Sequence, residues 1–314
     1  MGRRTTSSEI QPRNGLLTFI CFSPQTPVFF SPSGLVDMGF NQQNSRLAFS
    51  RFTRQIDKMA GHPAPDRVHR FRTSGRRVET LLQALVPHPD RNDQKLLKLL
   101  SRMRKKAGKV RDLDVQIATL RNLRIPAEAR RKAQLIQDLI EERGRREKKL
   151  ADVFDKDTLA VLRRRLKRAQ QDKIPAAADP LAVALNLLAD LARERAPITE
   201  KILHRYRVAG KRARYLAELA GDDPVAKQTV AILKHMQDVL GDWHDWLKLT
   251  QKAEELYGGV QESALVAALR NVTQAKFRQA IDVLSSTRTA LEGRKAVAPV
   301  PRKPKAAAAS SAVA

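Results

Sequence analysis

From about residue 45 to residue 290, apolar side chains recur three and four residues apart, the spacing of an amphipathic helix. The pattern is interrupted at Gly61-His62-Pro63, Val86-Pro87-His88-Pro89, Pro126, Pro175, Pro197, Gly221-Asp222-Asp223-Pro224 and Gly258-Gly259. Asp223 before Pro224 reads as a helix cap followed by a first-turn proline. These breaks predict an all-α fold of about ten helices with no strand. Residues 1–40 are rich in Ser, Pro, Thr and Gln and have no helical period, so they predict a disordered segment. Met38 begins a clean approach to the first helix and stands as an alternative start of the protein. Residues 293–314 set Pro299, Pro301 and Pro304 among Ala, Lys and Ser, which predicts a flexible basic tail.

The chain also repeats itself. Val68-His69-Arg70-Phe71-Arg72-Thr73-Ser74-Gly75-Arg76-Arg77 matches Leu203-His204-Arg205-Tyr206-Arg207-Val208-Ala209-Gly210-Lys211-Arg212, at an offset of 204 − 69 = 135 residues. Gly108-Lys109-Val110-Arg111-Asp112 and Gly241-Asp242-Trp243-His244-Asp245 follow in the same order, at 245 − 112 = 133. Two ordered matches argue for duplication. The repeated unit is far longer than a solenoid repeat, so each half is expected to be a small helical bundle. The predicted helical domain is 41–292, with a first half at 41–172 and a second at 178–292. The Pro- and Ala-rich stretch from Lys173 to Pro180 is the expected joint.

On a helical wheel, Arg72, Thr73, Arg76, Thr80 and Gln83 fall within about 60° of His69. Val68, Phe71, Val78, Leu82 and Leu85 lie opposite. In the second copy Arg207, Val208, Lys211, Tyr215 and Glu218 lie near His204, with Leu203, Tyr206, Ala213, Ala217 and Ala220 opposite. A histidine on an apolar stripe is usually a satisfied core residue. Here both histidines face away from the stripe, beside two cations, and the pattern occurs twice. Arginine offers paired donors that match phosphate oxygens, and lysine offers a point charge. Asp112, Asp114 and Asp245 are placed to orient arginines rather than to hold a metal.

Charge sharpens this picture. The net charge is +26, and a compact chain tolerates that best with a polyanionic partner. Nucleic acid, polyphosphate and acidic membrane surfaces are the candidates. No apolar run of about 18 residues predicts a transmembrane helix. The single cysteine, Cys21, excludes an intrachain disulfide and suits a cytoplasmic location. Aromatic residues make up 5% of the chain, which leaves few stacking platforms for single-stranded nucleic acid.

The motifs at 68–77, 108–115, 203–212 and 233–245 together resemble the CHAD family of histidine-bearing α-helical domains, over about residues 45–290. The resemblance implies two helical bundles related by a pseudo-twofold around a basic groove or cavity. It also implies binding of inorganic polyphosphate and a place at polyphosphate granules. The contacts it implies are His69, Arg72, Arg76, Arg77, His204, Arg207, Lys211 and Arg212, with Arg104, Lys105 and Arg111 as additions. Trp243-His244-Asp245-Trp246 departs from the leucine-asparagine-aspartate-leucine pattern more usual there. The alternating-glutamate strand of a triphosphate-processing domain is absent, so neither catalysis nor a cofactor is expected. Two alternatives stand beside polyphosphate binding: non-specific, backbone-driven nucleic-acid binding, and phosphate transfer or hydrolysis through a nucleophilic histidine.

Overall fold

The computed structural model describes residues 42–292 except 60–62, 126–127, 171–172, 176 and 194–196. The segment at 1–40, the alternative start at Met38 and the tail at 293–314 lie outside the described residues. Those residues form nine α-helices and no strand: α1 Gln42–Asp57, α2 Pro65–Leu85, α3 Arg91–Asn122, α4 Ala129–Ala151, α5 Lys156–Ala169, α6 Pro180–Ala192, α7 Glu200–Ala217, α8 Pro224–Tyr257 and α9 Ala264–Glu292. A 3-10 turn, Glu218–Ala220, ends α7.

Side-chain caps set several helix starts by satisfying backbone N–H groups that the first turn leaves open. Asp223 accepts from Ala226 N and stands before Pro224, as its sequence predicts. Asp179 and Thr199 cap α6 and α7 in the same way. The break between α4 and α5 is one that glycine and proline did not signal. It is set by Asp155, whose side chain accepts from Thr158 N. Asp90 and Asp93 form a reciprocal capping box at the start of α3. Lys173, from the expected joint, reaches Asp90 Oδ2 at 2.6 Å and the fully buried Asp93 at 3.0 Å. The joint is therefore anchored to the N-terminus of α3.

The apolar stripes pack inward as the wheels predict. Val68, Phe71, Val78, Leu82 and Leu85 of α2 are buried, as are Leu203, Tyr206, Ala213 and Ala217 of α7. Phe71 sits between Phe52 of α1 and Phe154, with ring centroids 5.4 and 5.1 Å away. Burying each large side chain contributes roughly 1.5–3 kcal/mol. A second apolar cluster joins the C-terminal parts of α3 and α8 to α4 and α9 through Leu120, Leu135, Leu139, Leu249 and Leu265. In sequence order α1 packs on α2, α2 on α3 and α3 on α4; likewise α6 packs on α7, α7 on α8 and α8 on α9. The two series meet where α2 contacts α7 and α3 contacts α8. This brings all four motif-bearing helices together.

Candidate functional site

The motif helices bring their cations to a common region. Arg72 and Arg76 come from α2, Arg104 and Arg111 from α3, and Arg207 and Lys211 from α7. Arg72 and Arg207 lie within electrostatic reach of each other, and Lys211 lies within reach of Arg207, Arg76 and Arg72. His69 is near Arg111, Arg72 and Lys211, so it joins the cluster from the first turns of α2. His204 is near Arg207, Lys248 and Lys211. Gly108 of the second motif lies beside one of these cations: a Cβ there would meet Arg72 Nη2 at 3.8 Å, an ordinary contact distance.

Carboxylates are few in this region. Arg104 Nε donates to Glu79 Oε2 at 2.6 Å, so this arginine is already matched. Arg72 Nη1 stands 3.5 Å from Asp112 Oδ1, a long contact to an exposed carboxylate. Among the described residues Arg76, Arg111, Arg207 and Lys211 make no ion pair. Asp245 faces Arg207, Lys211 and Arg111 at longer range, and also Asp112. Asp114 turns away and accepts from Arg143 Nε of α4 at 2.7 Å. Two of the three motif aspartates thus work with nearby cations of the cluster, and the third braces α4.

Crowding of like charge with partial burial moves the titrations. Burial, then Arg207, Arg76 and Arg72, brings the Lys211 ammonium down to about 7. Burial and the facing Asp112 push Asp245 up to about 6, against the pull of the nearby cations. Burial, then Arg111 and Arg72, lowers His69; burial, then Arg207 and Lys248, lowers His204. His244 falls furthest, to about 3, through burial and then Arg207 and His204. At neutral pH these rings are therefore uncharged, and each keeps one N–H to donate. Burial also lowers Arg72, Arg76 and Arg207, yet a guanidinium stays protonated in a protein.

Not every residue expected at the site is placed there. Arg77 donates from Nε to Glu218 Oε2 at 2.9 Å and lies over the Tyr215 ring, which Arg214 also faces. Arg77 therefore lines a separate cavity with Asn44, Leu47 and Arg51. Arg212 is exposed on α7. Lys105 is exposed on a flank of α3 with Lys98, Arg102, Lys106 and Lys109. His244, whose role the sequence left open, lies against His204 with ring centroids 5.7 Å apart. Lys248 was not anticipated. It lies one helical turn beyond His244 on α8 and acts on both His204 and His244. Its i+4 spacing from His244 was the signal available.

The arrangement can hold a multiply charged anion. Cations from three helices and neutral histidine donors converge where little carboxylate offsets them. Among the described residues no group of three or more His, Cys, Asp or Glu side chains is arranged to hold a metal ion. No described helix is long and apolar enough to cross a membrane.

Comparison with known structures places this fold. The crystal structure of the CHAD domain from the plant Ricinus communis is similar at a TM-score of 0.63 and 19% identity, over 88% of this chain and 97% of that one. PptA from Streptomyces chartreusis is similar at a TM-score of 0.55 and 15% identity, over 80% of this chain and 99% of the other. No curated protein sequence matches the chain. The CHAD domain profile matches residues 46–254, a span that holds every cation and histidine of the cluster, and the chain belongs to the CHAD domain family.

Proposed function

We propose that this protein binds inorganic polyphosphate through the cation cluster of α2, α3 and α7 and associates with polyphosphate granules. The observation that carries this reading is the set Arg76, Arg111, Arg207 and Lys211, brought together from three helices without ion-paired carboxylates. A compact protein that holds such charge unmatched gains most from a ligand with many phosphoryl oxygens. Arg72, Arg76 and Arg207 supply paired N–H donors, and His69 and His204 supply one each. Donors one turn apart, about 5.4 Å along a helix, suit successive phosphates of an extended chain. The matched motifs and the matched order of helix packing support a duplication in which each half contributes one histidine-bearing helix. We read the site as one for binding without chemistry, and phosphate transfer through a nucleophilic histidine is the alternative that incubation with Mg²⁺ or Mn²⁺ tests.

The test measures long-chain polyphosphate binding by wild type and by the R72A/R76A/R207A/K211A variant, with circular dichroism to confirm retained helix. Wild type is expected to bind and the variant to lose binding. Equal affinity of the two, or displacement of polyphosphate by duplex DNA at physiological salt, overturns the proposal. Orthophosphate release during long incubation with Mg²⁺ or Mn²⁺ overturns the non-catalytic reading. A fluorescent fusion that stays diffuse in granule-bearing cells overturns granule association.

A further inference from the structure

A second basic surface lies around α3 from the cluster. Lys98, Arg102, Lys105, Lys106 and Lys109 line a shallow depression of about 530 Å³ with Ser101. The five cations fall within an arc of about 100° on the helix, so they form one stripe about 16 Å long from Lys98 to Lys109 at 1.5 Å per residue. Arg104 and Arg111 face the cluster about 150° round α3 from the centre of this stripe, and Lys105, at the edge of the stripe, is the cation nearest to them in angle.

The stripe is unmatched, and in that it differs from other charged faces of the molecule. On α4, Glu142 pairs with Arg146 and Arg143 with Glu147, each four residues on. On α3, Lys98 and Arg102, Arg102 and Lys106, and Lys105 and Lys109 stand four apart with like charge, and such pairs destabilise a helix. Among the described residues Lys98, Arg102, Lys106 and Lys109 make no ion pair. The repulsion persists on an otherwise well-capped helix, and a bound polyanion would relieve it.

We infer that the outer face of α3 is a second polyphosphate subsite, a lane onto which a chain seated in the cluster continues past Lys105. This rests on the polyphosphate reading and extends it to chain length. A short oligophosphate occupies the cluster alone, whereas a long chain engages both surfaces and gains by effective concentration.

The experiment compares tripolyphosphate with long-chain polyphosphate on wild type, on the cluster variant R72A/R76A/R207A/K211A and on the stripe variant K98Q/R102Q/K106Q/K109Q. The stripe variant is expected to bind tripolyphosphate as wild type does. It should bind the long chain about tenfold more weakly at low salt, with the log affinity against log salt slope reduced by about 3 for four contacts at roughly 0.7 each. A merely structural role would leave that slope unchanged. Long-chain affinity and slope equal to wild type overturn the lane while leaving the cluster reading intact. Loss of duplex DNA binding with no loss of polyphosphate binding overturns it too, and makes the stripe a nucleic-acid surface. Absence of polyphosphate binding by wild type overturns both readings.

Discussion

Binding a polyanion to this cluster should take up protons, and the amount can be worked from Lys211. Its ammonium titrates near 7 in the free protein because it is buried among Arg207, Arg76 and Arg72. Phosphates placed beside it restore the charged form and move the titration back toward the ordinary lysine range. With a free-state pKa of about 7, about nine-tenths of Lys211 is charged at pH 6 and about one-tenth at pH 8. If only the charged form binds well, affinity falls about tenfold over that range, close to 1.4 kcal/mol. Asp245 adds in the same direction. It titrates near 6, so about half of it is protonated and no longer repels the ligand at pH 6, whereas nearly all of it is ionised at pH 8. His69 and His204 start below the usual histidine value and rise on binding, which adds further uptake on the acid side. Titration calorimetry with long-chain polyphosphate, whose terminal groups are few, in buffers of different ionisation enthalpy reads the protons directly. Uptake of about 0.9 proton from Lys211 is expected at pH 8. Lys211→Arg keeps the charge across this range and should flatten the profile to the smaller histidine and aspartate part. Affinity level from pH 6 to 8, with no buffer dependence of the enthalpy, refutes the argument.

Three further outcomes follow from the geometry. Lys211→Met removes a half-buried charge whose folded-state pKa is depressed, so the ligand-free variant should be more stable than wild type by roughly 0.5–2 kcal/mol at pH 6. That gain should shrink as pH rises through about 7, where the native lysine becomes neutral; a variant less stable than wild type at pH 6 contradicts this. Lys173→Met leaves the buried Asp93 carboxylate without its ammonium partner and should cost about 1–3 kcal/mol in urea unfolding at pH 7. Lys173 also holds Asp90 down to about 2, so the part of this difference carried by Asp90 should vanish as pH falls from about 4 to 2; a constant difference would argue for packing alone. Gly210→Ala places a Cβ 2.3 Å from Met236 Cε where α7 meets α8; the flexible end of Met236 must shift, which offsets the gain of alanine over glycine in a helix, so urea unfolding should change by less than about 1 kcal/mol, and a loss of several kcal/mol would show that Met236 has no room to move.

The helical class and the inward faces of α2 and α7 were legible because a 3.6-residue period survives any tertiary arrangement. The start of α5 was not, since its break carries neither glycine nor proline and rests on the Asp155 cap alone. A wheel also reports only the angle from the apolar stripe, and not whether a second helix covers the polar side. Thr80 lies within the polar sector of α2 yet is buried, as is Glu79, because α2 is packed on by α1, α3 and α7. The same limit explains Arg77, whose neighbour in sequence, Arg76, joins the cluster. Arg77 sits 100° further round and meets Glu218 and Tyr215 instead. His69, Arg72, His204, Arg207 and Lys211 were found because two copies carried the same spacing. Lys248 has no such twin, since the matching position in the first copy is Val115.

The meeting of α2 and α7 has a consequence for the empty protein. This contact joins the first run of helices to the second, and it is lined by cations that repel across it. Many proteins are stitched along such seams by opposite charges, and added salt loosens them. Here small anions should gather at the seam and screen it, so moderate ionic strength tightens the resting molecule while it weakens the grip on a polyanion. The counterions of the surrounding solution should thus help to hold the unliganded fold. On the proposed reading, a chain of phosphates entering the site replaces those loose anions.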